Sequence, residues 1–78
     1  MKESTFDRAT KLQKDIIAID EIIEVLKERL NQNDEASICI DYKPYVTRCI
    51  TISQQVGNAI IAGLNNYRDF CSEEFEKL

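Results

Sequence analysis

The residues of this chain best suited to chemistry are its three cysteines, Cys39, Cys49 and Cys71. The 78-residue sequence contains no histidine, and the spacing of the cysteines provides no CxxC pair. A structural zinc site normally takes four Cys or His ligands, which these residues do not supply. An odd number of cysteines is also untypical of a secreted disulfide scaffold. We therefore predict no metal and no cofactor, and we expect reduced thiols in the cytoplasm.

General acid–base catalysis finds little support in the composition. Histidine, the commonest general base, is absent. Acidic residues are plentiful, but those of the first predicted helix fall mostly on its polar side, which is typical of a solvated face. These residues are Asp20, Glu21, Glu24 and Glu28. We predict that the chain is not an enzyme and has no catalytic residues.

Aromatic and basic residues meet at one place in the sequence. They are Tyr42, Lys43, Tyr45 and Arg48. Arg48 is unusual because it shares the otherwise apolar face of its predicted strand, where a charge is costly unless it is paired. It could extend into water at the tip of a hairpin, stack on Tyr42 or Tyr45, or contact a ligand or partner. This cluster is our candidate surface for contact with a partner.

The net charge of −4, from ten basic and fourteen acidic residues, bears on the kind of partner. Nucleic-acid binders usually carry a basic surplus, because the neutralisation of phosphates drives their affinity. An acidic chain is equally ill-suited to a membrane surface, and no apolar run approaches the roughly 20 residues that span a bilayer. Residues 1–7 carry charge where the apolar core of a signal peptide would lie. These features disfavour nucleic acid and a membrane as partners and favour a cytoplasmic location.

Two segments, at about residues 4–31 and 53–76, show the apolar periodicity of amphipathic helices. In the first, seven apolar residues are spaced alternately three and four apart, which is the heptad pattern of coiled coils. A second apolar edge of Ala18, Ile22 and Val25 widens this stripe to about half of the helix circumference. We expect one edge to pack within the monomer and the other against a further surface.

Between the helices, about residues 36–52 alternate apolar and polar side chains with the period of two that is typical of β-strands. A proline within residues 43–45 suits a turn. A three-residue loop there places Tyr42 opposite Val46 and keeps the apolar faces of the two strands together. A two-residue loop would set apolar residues against polar ones, so the register disfavours it.

The predicted register also places Cys39 opposite Cys49. A redox pair is one interpretation of this arrangement, and the packing of two small apolar side chains is the other. The whole pattern predicts an α+β fold in the order helix, strand, strand, helix. A long amphipathic helix, a two-stranded antiparallel hairpin and a second long amphipathic helix form a single domain over residues 1–78.

This predicted monomer looks incomplete. A lone two-stranded hairpin is marginal in water and leaves both of its edges open. Because neither a metal nor a disulfide scaffold is expected, self-association is the natural source of further burial. We predict a homo-oligomer, a dimer or tetramer, with a foreign protein as a further possible partner. The candidate interface residues are Ile16, Ile19, Ile22, Ile23, Leu26, Ala59, Gly63 and Phe70.

The succession of a heptad-like helix, a short hairpin and a long amphipathic helix ending in Glu and Lys resembles small uncharacterised bacterial and prophage-type proteins. The resemblance covers most of the chain as a pattern of elements, and it transfers no functional residue. It implies an unknown function and frequent oligomerisation. From the residues themselves, the first hypothesis is a self-associating interaction or structural module. The alternatives are a small acidic, antitoxin-like regulator that binds a basic protein, and a weak nucleic-acid binder that uses the hairpin tip.

Overall fold

The computed structural model describes residues 3–78, with the backbone alone at residue 3. Helix α1 spans Glu3–Gln32, strand β1 spans Glu35–Lys43, strand β2 spans Val46–Ser53 and helix α2 spans Gln54–Glu76. The strands pair antiparallel in a two-stranded sheet. The predicted α-β-β-α order is therefore confirmed, and each predicted boundary lies within one residue of the observed one.

The core forms mainly where the two helices pack side by side. Arg8 contacts Glu74 near one end of the pair and Leu30 contacts Gly57 near the other, so the helices run antiparallel. Full burial of each large aliphatic side chain contributes about 1.5–3 kcal/mol. The buried residues are Leu12, Ile19, Ile23, Leu26 and Leu30 of α1, Ala36 of β1, Ile52 of β2, and Ile61 and Cys71 of α2.

Polar contacts along the edges of the helix pair fix its alignment. Arg68 donates two hydrogen bonds to the Asp20 carboxylate, from Nε to Oδ1 and from Nη2 to Oδ2, the second at 3.1 Å. This hydrogen bonding lowers the pKa of Asp20 below its ordinary value and raises the pKa of Arg68. The hydroxyl of Tyr67 donates to Asp15 at 3.3 Å. Because these groups are exposed, they select the alignment of the helices more than they add stability.

Gly57 allows the start of α2 to lie close against α1. A Cβ atom at Gly57 would stand 2.6 Å from Cδ1 of Leu30, whereas a Cβ at Gly63 would meet nothing within 4 Å. Carbon atoms pack at about 3.5–4.0 Å, so a larger residue at position 57 would have to displace Leu30. Within the monomer, the close backbone approach therefore occurs at Gly57, and Gly63 lies on an open helix surface.

The turn of the hairpin differs from the predicted three-residue loop. Lys43 pairs with Val46, so the turn contains only Pro44 and Tyr45, and the predicted pairing of Tyr42 with Val46 was wrong. Tyr45 adopts a φ of 65°. This left-handed conformation costs a residue other than glycine about 1–2 kcal/mol. The compact turn thus forms at the expense of local backbone strain.

A β-bulge beside the turn restores the predicted pairing along the rest of the hairpin. The register shifts around Tyr42, which remains as one extra residue in β1. With a two-residue turn and no bulge, the pairing of the strands would be shifted by one residue. The bulge accommodates the extra residue and so removes this shift. Ile38 faces Ile50 and Cys39 faces Cys49, and both of these predicted pairs are confirmed.

Most of the hairpin projects from the helix pair. Only Ala36 and Ile52 at its base are buried, Ile38 is half-buried, and every residue from 39 to 51 is exposed. We term residues 39–51 the arm. The molecule measures 45 × 31 × 15 Å and has a radius of gyration of 15.4 Å, whereas a compact domain of this length has about 11.5 Å. The helices therefore leave most of the sheet uncovered.

Candidate interaction surface

One face of the arm is apolar and open to solvent. Ile40, Val46 and Ile50 are 55%, 45% and 54% exposed, respectively. These three residues lie on the same face of the sheet as Ala36 and Ile52, which are buried against the helices at the base of the hairpin. Single exposed aliphatic residues are ordinary, but a contiguous apolar patch marks a site of interaction.

A cleft of about 730 Å³ lies between the base of the arm and the outer edge of α1. Its walls include Ile22 and Val25 from α1, Ile38 from β1 and Ile60 from α2. Ile22 and Val25 are 48% and 61% exposed, so this second apolar edge of α1 lies outside the core. The apolar surface of the cleft continues through Ile38 onto the apolar face of the arm, and the two are neighbouring parts of one apolar surface.

The residues predicted to form an interface fall into two groups in the structure. Ile19, Ile23 and Leu26 are buried within the monomer and Ile16 is half-buried, so they pack α1 against its own chain. Sequence periodicity could not separate the two groups, because both edges of the stripe have helical spacing. The residues of the set that remain exposed are Ile22, Ala59, Gly63 and Phe70.

The structure brings together three of the four residues of the predicted aromatic and basic cluster. Nζ of Lys43 lies 5.3 Å and Cζ of Arg48 lies 5.5 Å from the centroid of the Tyr42 ring. Tyr45 projects from the turn into solvent. Arg48 therefore stacks on Tyr42, one of the alternatives that the sequence left open, and places a positive charge on the apolar face of the arm.

The outer side of α1 carries charged residues of both signs beside the cleft. Glu21 lines the cleft beside Ile22 and Val25, and Arg29 is the basic residue of the same lining. Glu28 lies two helical turns beyond Glu21 on the same side of α1 and is also exposed. The charged residues that line the cleft are thus Glu21 and Arg29, of opposite sign, whereas Lys43 and Arg48 on the arm are both basic.

Cys39 and Cys49 form a disulfide across the other face of the arm, with their Cα atoms 4.0 Å apart. The sequence predicted their opposition but favoured reduced thiols. Directly opposed residues of an antiparallel pair have neighbouring side chains, so the observed register brings the two sulfur atoms together. Cys71 is free and fully buried.

Comparison of the chain with known protein families, with curated proteins and with solved structures finds no match. Neither helix within the part of the chain that the structure describes carries an apolar stretch long enough to cross a membrane. Among residues 3–78, no three His, Cys, Asp or Glu side chains lie together in a way that could hold a metal ion. The arm and the cleft are therefore the candidate functional surfaces of this chain.

Proposed function

We propose that this chain is a homodimeric interaction or structural module without catalysis of its own, in which a second copy covers the arm and the cleft. The observation that carries the proposal is the amount of exposed surface. The chain exposes 6299 Å², whereas a compact monomer of 9.0 kDa exposes about 4,900 Å². The excess is about 1,400 Å² per chain.

The size of this excess matches what a stable dimer needs. Permanent homodimers bury about 1,000–2,500 Å² on each chain, and their interfaces are more apolar than transient ones. The apolar face of the arm and the apolar cleft supply surface of this character. A contact limited to the tip of the arm would leave most of the excess uncovered.

The shapes of the two surfaces favour a second copy as the occupant. The arm is a protrusion and the cleft is a concavity, and each chain carries both. In a two-fold dimer, each arm can lie in the cleft of the other copy, so that the two contacts are equivalent. In this arrangement Ile40 and Ile50 of one chain pack on Ile22 and Val25 of the other.

Ion pairs can form in the same arrangement. Lys43 and Arg48 of each arm would lie near the carboxylates of Glu21 and Glu28 of the other copy, with Arg29 as a like charge at the same cleft. Opposite charges at the rim of an interface set the register and increase the rate of association. The basic tip would then face carboxylates, which weakens the case for the hypothesis that it binds nucleic acid.

The outer side of α2, with Ala59, Gly63 and Phe70, is the other surface that the sequence marks for self-association. Phe70 stacks on Tyr67 with ring centroids 5.9 Å apart. These three residues do not belong to the lining of the cleft beside α1, so the arm and the cleft are the better candidate. A cytoplasmic location and the acidic-regulator alternative stay predictions from the sequence.

Methyl contacts between chains test the proposed arrangement. In a sample that mixes ¹³C-methyl-labelled and unlabelled chains, isotope-filtered NMR should detect contacts from the methyl groups of Ile40 and Ile50 to protons of Ile22 and Val25 in the other copy. The methyl groups of Ile23, buried within the monomer, serve as the control and should show contacts within one chain only. Intermolecular contacts confined to Phe70 and its neighbours on α2 would contradict the arrangement.

A further inference from the structure

The disulfide between Cys39 and Cys49 lies in an unusual setting for a structural cross-link. Both residues belong to the exposed arm, and the residues on their face of the sheet are polar and exposed. Ser37 pairs with Thr51 on the side of the helices, and Asp41 pairs with Thr47 on the side of the turn. The disulfide is therefore open to attack by a thiol from solution.

We propose that Cys39 and Cys49 form a reversible thiol–disulfide site that exchanges electrons with low-molecular-weight thiols such as glutathione. Exposed disulfides are the exchangeable ones, because a thiolate must reach a sulfur atom to react. Cys71 provides the contrast within the same chain. Its side chain is 0% exposed, so it takes no part in the exchange.

The exchange proceeds through two thiol–disulfide steps. A glutathione thiolate attacks one sulfur of the pair, which breaks the Cys39–Cys49 bond, releases the other cysteine as a thiolate and leaves a mixed disulfide with glutathione. A second glutathione thiolate then attacks the glutathione sulfur, which frees the second cysteine. In sum, one protein disulfide and two glutathione thiols give two protein thiols and one glutathione disulfide. Two electrons pass to the protein, which also takes up two protons.

The two redox states differ in how firmly the arm is held. The disulfide closes a loop between residues ten positions apart. A closed loop of this size restricts the open hairpin and favours the paired strands by about a hundredfold. Because a two-stranded hairpin alone is marginal and the arm lacks support from the helices, reduction would leave it more loosely paired. Cys39 also lines the cleft that a second copy would cover, so the test below uses the protein diluted until it is monomeric.

A redox titration tests the proposal. The native protein is equilibrated in buffers of graded ratios of reduced to oxidised glutathione, treated briefly with iodoacetamide without denaturant, and weighed by intact mass spectrometry. We expect one reversible transition between a form with no label and a form with two labels, and a third label only after denaturation. The same transition should be reached from the oxidised and from the reduced starting protein.

The Cys39→Ser variant is the matched control. It should lose the two-label transition and form a mixed disulfide with one glutathione at Cys49. The proposal would be overturned if the native pair stayed oxidised, or stayed reduced, at every glutathione ratio. Labelling of Cys71 at the same rate as the pair without denaturant would also overturn it.

Discussion

Replacement of Ile50 by lysine is expected to make the protein monomeric at concentrations where the native chain is dimeric. Ile50 is 54% exposed in the monomer, so a lysine there has room to reach water and the monomer should still fold. In the proposed dimer the same position packs on Ile22 and Val25 of the other copy, where the ammonium group would lose its hydration against apolar side chains. We expect dimer dissociation to become easier by about a hundredfold or more, as at the centre of other interfaces.

The Thr51→Lys variant controls for the added charge and for the change in strand propensity. Thr51 follows Ile50 in β2 and points to the opposite face of the sheet, where it is also exposed. Its replacement should leave the dissociation constant within a few-fold of the native value. Sedimentation equilibrium measures both variants. An equal effect of the two substitutions, or none from Ile50→Lys, would contradict the assignment of the interacting face.

Leu26→Ala is expected to cause the largest loss of stability. Leu26 is 7% exposed and belongs to the cluster that joins both helices to the base of the hairpin. Removing a buried leucine side chain costs about 2–5 kcal/mol, including the cavity that remains. Small domains have a free energy of unfolding near the lower end of about 5–15 kcal/mol, so this single change should leave the protein close to unfolding. Urea denaturation followed by circular dichroism measures the loss.

Val25→Ala is the matched comparison, because Val25 precedes Leu26 but is 61% exposed. In a protein kept monomeric by dilution, we expect it to change the free energy of unfolding by only about 0.5 kcal/mol or less. It should instead weaken self-association, since Val25 lines the cleft. Equal losses of monomer stability from the two variants would show that α1 is oriented differently.

The elements of the fold were predictable because the apolar residues of each element recur at the spacing that is typical of a helix or of a strand. The helices showed spacings of three and four, and the strands showed alternation, so the α-β-β-α order and the pairing of Ile38 with Ile50 followed from the residues. The spacing of apolar residues along the sequence does not reveal how far apart two elements lie in the fold. Alternation in the hairpin showed which face is apolar, but whether the helices reach that face depends on where the strands leave the helix pair.

The two-residue turn and the disulfide were not predicted from the sequence, for different physical reasons. The apolar register can be kept either by a three-residue loop or by a two-residue turn with a bulge. The second solution places Tyr45 in a conformation for which its residue type gives no signal. Cys39 and Cys49 were correctly placed opposite each other, but the bond between them depends on redox conditions as well as on register. The role of Gly57 in the close packing of the helices likewise becomes visible only in the structure, where Leu30 lies against it.

Absolute mass in solution tests the central claim, that a second copy covers the exposed apolar surface. Light scattering on a size-exclusion column should be recorded from low to high micromolar concentrations of the native chain. We expect twice the mass of the 9.0 kDa chain, with dissociation only at the lowest concentrations. A well-folded monomer at every concentration would contradict the proposed dimer, and the arm and the cleft would then bind a different partner.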